Sequence, residues 1–214
     1  MPYKTPTLKE LAPIIEDYRA AFPEWQLVNE DVLIRFGTWV AQSIWFDRLR
    51  SGTYRPTCGV HVLVAPSSSG CTGVMTQFLN IKQREIRPEA HVRVFQSVII
   101  ALKSEIYPSL EKPLNELEVI DAVKKNYADR PAAVYALACL LGALGRSNET
   151  LQWIDKYHSA LARLKLVPQS IDVERDTFLR KVEEWLKQPE REANFADVAE
   201  QQKALLLGGH EINR

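Results

Sequence analysis

Trp39-Val-Ala-Gln-Ser-Ile-Trp-Phe46, then Arg50-Ser-Gly-Thr53, then Cys58-Gly-Val-His-Val-Leu-Val-Ala65 is the stretch that decides the fold class. β-Branched and aromatic residues dominate both runs, and the Ser-Gly pair between them is a chain reversal. Period two sorts the first run into Val40, Gln42, Ile44 and Phe46 on one face and Trp39, Ala41, Ser43 and Trp45 on the other. Both sets are mostly apolar, so both faces are expected to be covered, one of them by a helix.

The same pattern extends to either side. Trp25–Val28 and Val32–Phe36 are further strands, with turns at Asn29-Glu-Asp31 and Phe36-Gly-Thr38. Val74–Ile81 is a weaker fifth candidate. Between it and the preceding strand lies Pro66-Ser-Ser-Ser-Gly-Cys-Thr-Gly73, whose composition predicts an eight-residue loop. An antiparallel sheet of four or five strands is thus expected over residues 25–82.

Helical periodicity flanks the sheet. Thr7-Leu-Lys-Glu10 is a capping box, and Leu8, Leu11, Ile15, Tyr18 and Phe22 form one apolar stripe. Pro13 inside that stripe predicts a kink or a later start. From Pro88-Glu-Ala the period becomes helical to about Ile106. Asn115-Glu-Leu-Glu118 is a second capping box, with Leu117, Ile120, Val123 and Tyr127 as its stripe. Ala132–Leu144 is apolar nearly all round and therefore predicts a core helix, with Gly145 as its stop and Ser147 as the next N-cap. Leu151, Ile154, His158 and Leu161 mark the following stripe. Phe178, Val182 and Trp185 belong to another helix, and a last one spans about Glu190–Leu207 before Gly208-Gly209. The expected fold is α+β: an N-terminal helix, an antiparallel four- or five-stranded sheet, then a C-terminal helical bundle. Residues 1–214 read as a single domain, sheet-rich over 1–87 and helical over 88–214.

The 214 residues carry 27 basic and 27 acidic side chains, for a formal net charge of zero. The first 107 residues hold 12 basic and 10 acidic groups and the rest hold 15 and 17, so neither half has a basic excess. Affinity for nucleic acid built on phosphate contacts is not expected. Zero net charge also offers little resistance to self-association, so a homo-oligomer is compatible with the composition. Three cysteines (Cys58, Cys71 and Cys139) cannot all pair within one chain, and Cys139 sits in an apolar run as a small hydrophobe. With no apolar signal core at the N-terminus and no membrane-length apolar run, a cytoplasmic location is expected.

Few residue groups carry chemistry. Cys58-Gly-Val-His61 with Cys71 offers only three metal ligands, and in a strand residues 58 and 61 point to opposite faces, so no metal site is expected. The Ser67–Thr72 loop lacks the Gly-Lys-Ser/Thr ending of a nucleotide loop and the Gly-x-Ser-x-Gly pattern. Cys71 with His61 or His91 as base remains as an alternative nucleophile site, in a small-ligand-binding protein or thiol-dependent enzyme. Glu116, Glu118 and Asp121 gather in a first helical turn, where negative charge is favoured without a function. No cofactor motif is present.

The most distinctive cluster is Arg48, Arg50 and Arg55 with Tyr54 and Trp45, placed around the hairpin reversal at Ser51-Gly52. Arg, Tyr and Trp are the residue types that anchor protein interfaces. A solvated hairpin tip explains the same residues more plainly.

Two resemblances bear on this. In Ala132 to about Leu164, Tyr135, Leu137, Ala138 and Leu141 before Gly145, followed by Leu151, Trp153 and Tyr157, the order resembles one tetratricopeptide-type helix hairpin. Thr150 stands where that family has a small alanine, and the closing proline comes late, at Pro168. Only one copy is found, whereas a solenoid needs three or more. The resemblance implies protein binding. Val40-Ala-Gln-Ser-Ile-Trp-Phe46 leading to Tyr54-Arg-Pro56 and then a helical tail resembles uncharacterised bacterial α+β proteins, including immunity proteins that neutralise toxins. That resemblance implies a non-catalytic module whose partner is another protein.

Overall fold

A computed structural model of the chain describes residues 4–67, 70–79, 85–164 and 170–208, without the side chains of residues 67, 70, 71, 164 and 170. The fold is α+β, with one helix, a five-stranded antiparallel sheet in the order β1-β2-β3-β4-β5, and then helices.

Helix α1 spans Leu8–Ala21. The Thr7 hydroxyl accepts from the Glu10 backbone N–H while the Glu10 carboxylate accepts from the Thr7 N–H, the reciprocal box expected at an N-terminus. Pro13 neither delays nor divides the helix, which is continuous through it.

The strands are β1 (Gln26–Val28), β2 (Val32–Phe36), β3 (Val40–Arg48), β4 (Tyr54–Ser67) and β5 (Gly70–Phe78). Val28 faces Val32 and Gln26 faces Ile34 across the first hairpin. Its turn uses left-handed backbone at Asn29 and Glu30, φ 53° and 62°, a conformation that asparagine tolerates and glutamate rarely adopts. The eight-residue loop expected at Pro66–Gly73 is strand up to Ser67 and again from Gly70. Serine and glycine content suggested a loop, but strand pairing satisfies the same backbone groups in a long hairpin. Ser68 and Ser69 of that stretch, the end of the Val74–Ile81 candidate, Pro168 and Gly209 lie outside the described residues.

Among the described residues six α-helices follow β5. A 3₁₀ turn at Pro88–Ala90 leads into α2 (His91–Glu105); then come α3 (Glu116–Asn126), α4 (Pro131–Ala143), α5 (Ser147–Leu164), α6 (Ser170–Trp185) and α7 (Arg191–Leu207). Asn115 caps α3 by accepting from the Leu117 N–H. Two expected stripes hold in part, with Ile120 and Val123 buried on α3 and Ile154 on α5, but the buried face is shifted. Leu117 is exposed and α3 buries Val119, Ile120, Ala122 and Val123; Leu151 and His158 are largely exposed and α5 buries Thr150, Ile154, Tyr157 and Ala160. Several apolar periodicities fit one helix when it is read alone, and the neighbouring helices select among them.

The chain partitions into two compact units. One comprises residues 1–36, 42–59 and 76–114, the other 37–41, 60–75 and 115–214. In the first unit, α1 and α2 lie against each other, and Leu11, Ile15, Tyr18, Leu33, Ile44, Phe46, Tyr54 and Leu102 form a continuous core. The Tyr18 and Phe46 ring centroids are 4.8 Å apart within it. In the second unit α4 is central. It touches α3, α5, α6 and α7, and Ala133 to Leu141 are buried without interruption. α4 ends where Gly145 takes φ +76°, which lets the Arg146 N–H reach the Leu141 carbonyl and the Gly145 N–H reach the Gly142 carbonyl. Among the described residues no helix is long and apolar enough to cross a membrane.

Candidate interaction surface

The reversal between β3 and β4 is closed by the Leu49 N–H to the Thr53 carbonyl at 2.9 Å and the Gly52 N–H to the Leu49 carbonyl at 3.1 Å. Beyond this turn, period two sends odd-numbered residues of both strands to one face. Asp47 is the hub of that face. Its Oδ1 accepts from Trp45 Nε1 at 3.1 Å, and its Oδ2 accepts from Arg55 Nη2 at 3.0 Å, Arg55 Nε at 3.3 Å and Thr57 Oγ1 at 2.7 Å. The Arg55 guanidinium is 4.3 Å from the centroid of the Phe78 ring on β5, a cation–π stack. Phe78 is 46% exposed, and the Arg55 and Asp47 side chains keep 27% and 22% of their surface.

Gly59 makes room for the indole. A Cβ at this position would lie 2.6 Å from Trp45 Cζ3 and 3.1 Å from Ser43 Oγ, so any side chain would push the ring off the sheet. Arg48 and Arg50 are exposed at the end of β3 and in the turn and form no ion pair among the described residues. Glu85 accepts from the hydroxyls of Ser51 and Thr53 at 3.1 and 3.3 Å and so braces the tip.

Of the five residues expected to act together, Trp45 and Arg55 share this face, and Arg48 and Arg50 are exposed beside the turn, Arg48 with the opposite parity to Trp45 on β3. Tyr54 is not on this face. It is fully buried on the opposite side, where its hydroxyl lies 2.7 Å from His91 Nδ1. Burial pushes its phenol up, which keeps it protonated. Residues 54 and 55 are adjacent in a strand and therefore cannot share a face. Asp47, Thr57 and Phe78 complete the cluster and were not expected. For Asp47 and Thr57 the signal was available, because they share parity with Trp45 and Arg55. Phe78 carries no such signal, because its placement depends on where β5 pairs.

The alternative nucleophile site takes a different form. His61 on β4 is buried beside Gly73, and its Nδ1 lies 3.7 Å from where a Cβ on that glycine would sit. Burial pushes its imidazole down to about 4, so it is neutral at physiological pH. His91 is 3% exposed and is held between Tyr54 and Asp17. The Cys71 side chain lies outside the described residues. Cys58 and Cys139 are free and buried, and burial raises both thiols, which suppresses the thiolate. Among the described residues no three His, Cys, Asp or Glu side chains gather as a metal site.

Compared with protein-family models, curated proteins and solved structures, the chain matches none.

Proposed function

We propose that the protein is a non-catalytic protein-interaction module, adaptor- or immunity-like in kind, that docks a partner protein on the face built by Trp45, Asp47, Arg55 and Phe78, with the buried Thr57 hydroxyl holding Asp47 from beneath. The observation that carries this reading is the single Asp47 carboxylate that holds Trp45, Arg55 and Thr57 while Arg55 stacks on Phe78. Aromatic and arginine side chains supply most interface energy, and side chains already immobilised lose little entropy when a partner arrives. The exposed Arg48 and Arg50 beside the turn favour a partner that presents carboxylates there. The single helix hairpin of α4 and α5 agrees with an interaction role. There Thr150, in place of the family's alanine, bonds its hydroxyl back to the Arg146 carbonyl at 3.1 Å. The free thiols of Cys58 and Cys139 fit a cytoplasmic location.

The test is affinity capture with the full chain against three variants: Trp45→Ala/Arg55→Ala, Arg48→Ala/Arg50→Ala, and Val173→Ser as an exposed control on α6. Tyr54 is left intact because truncating it would open the core. A partner retained by the parent and the control and lost from both face variants is the expected result. If both face variants are folded and keep every partner, this face is not the interface. Recovery of the chain itself, with light scattering showing a dimer, would make the partner a second copy.

A further inference from the structure

A second feature of the first unit has no part in that interface. Near the end of β2, Arg35 shares a face with the buried Gln42, and its side chain is only 9% exposed. Its guanidinium is held on one side. Nη2 donates to Gln42 Oε1 at 2.6 Å and to the Lys112 carbonyl, which uses both of its N–H groups. Gln42 is itself fixed, since its Nε2 donates to the carbonyls of Pro108 and Ser109 at 3.3 and 3.1 Å. The Trp25 ring lies 5.1 Å from the guanidinium carbon. The remaining N–H groups are under-used. Among the described residues Nε is buried without a partner, and Nη1 has only the Glu24 carboxylate, 4.0 Å away and 76% exposed.

Arg35 lines a pocket of about 220 Å³ together with Phe22, Trp25 and Lys103 and the exposed side chains of Glu24 and Glu111, the carboxylate beside Nη1 being one of its walls. Lys103 Nζ lies 5.8 Å from the centroid of Phe22 and has no ion pair among the described residues. Two cations and two aromatic rings thus converge on one small volume. A nine-tenths buried charge with a single loose counter-ion is costly unless something completes its pairing. The guanidinium geometry favours a planar oxyanion, and the aromatic walls favour a flat apolar body. The volume is below that of drug-sized sites and suits one ring, not a nucleotide.

We propose that this pocket binds a small organic carboxylate with a flat apolar body, the carboxylate on Arg35 Nη1 and Lys103 Nζ and the body against the outer edge of the contacting Phe22 and Trp25 rings, whose centroids are 5.5 Å apart. Glu24 competes for the same guanidinium in the empty site. A plain aromatic acid and an aromatic amino acid share this chemistry. They differ in whether an ammonium is available to meet Glu24 or Glu111.

Calorimetric titration of the full chain at low salt, with benzoate, L-phenylalanine and phenethylamine as probes, tests the site. Benzoate and phenylalanine are expected to compete for one site and phenethylamine to leave it empty. Tighter binding of phenylalanine than benzoate would assign the amino acid as the class, and the reverse order the plain acid. Lys103→Gln should weaken binding about fivefold, as loss of one half-buried charge beside the carboxylate does. Arg35→Lys, which keeps the charge and loses the fork, should weaken it about tenfold or more. Glu24→Gln should strengthen it. Arg48→Ala/Arg50→Ala should leave it unchanged, so failure here and failure of the interface on the opposite face are separate results. Absence of benzoate and phenylalanine binding, equal binding of phenethylamine, or indifference to both Lys103→Gln and Glu24→Gln would each overturn the proposal.

Discussion

The Tyr54 hydroxyl lies 2.7 Å from His91 Nδ1, and His91 Nε2 lies 3.1 Å from Asp17 Oδ2. This chain joins β4, the start of α2 and the third turn of α1 through three side chains. The arrangement that serves both bonds places the imidazole proton on Nε2, donating to Asp17, with Nδ1 accepting from the phenol. Tyr54 and His91 are buried whereas the Asp17 side chain is 55% exposed, so the two bonds are unequal in consequence.

Tyr54→Phe should therefore destabilise the protein by about 1–3 kcal/mol, because it leaves a buried imidazole nitrogen without its donor. Asp17→Asn should cost less, since water replaces an exposed partner. Urea unfolding midpoints decide it, and a larger loss for Asp17→Asn would show that the buried bond contributes little.

Gly59→Ala should cost about 1–3 kcal/mol, the usual range for overpacking, because the new Cβ would lie 2.6 Å from the Trp45 ring. The indole must tilt and its bond to Asp47 must lengthen. The expected signatures are a shifted indole N–H resonance and weaker partner capture. An unchanged resonance would mean that the sheet, not the ring, gives way.

Stability should fall as the pH drops below neutrality because of His61. The folded imidazole titrates near 4 and the unfolded one near 6.5. Between those values only the unfolded chain takes up the proton, so the contribution is complete above about pH 6.5 and is lost towards pH 4. Its size is on the order of 3 kcal/mol. Comparing urea midpoints near pH 7 and near pH 4.5 for the parent and His61→Gln checks this. An equal drop in both proteins would assign the acid sensitivity to other groups.

Cys58 and Cys139 should resist thiol reagents in the folded protein and react on unfolding. They are 2% and 0% exposed, and burial raises both thiols. Mass spectrometry after brief alkylation at neutral pH should show both unmodified. Rapid labelling of either would indicate local opening of β4 or α4.

Much of the architecture is a property of short stretches. Thr7 and Glu10 build the α1 cap from four consecutive residues, and Val32–Phe36 is strand over the bounds that its composition predicts. The uninterrupted apolar run of α4 could only be a core helix. In each case the physical cause, a local hydrogen bond or a side-chain period, acts within a few residues. The loop expected at 66–73 failed because serine and glycine content reports turn preference and says nothing of a neighbouring strand that satisfies the backbone.

The functional cluster divides along the same line. Arginine and aromatic residues around Ser51-Gly52 are visible in the chain, and strand parity separates Tyr54 from Arg55 without any coordinates. Sequence by itself thus determined the fold class, the hairpin and the residue types at its tip. Only the tertiary structure decided that Phe78 stacks on Arg55, that His91 is bound to Tyr54, and that Arg35 faces a pocket with Lys103. Those contacts join residues 23, 37 and 68 positions apart, and their formation depends on strand register and helix rotation, which no local period encodes.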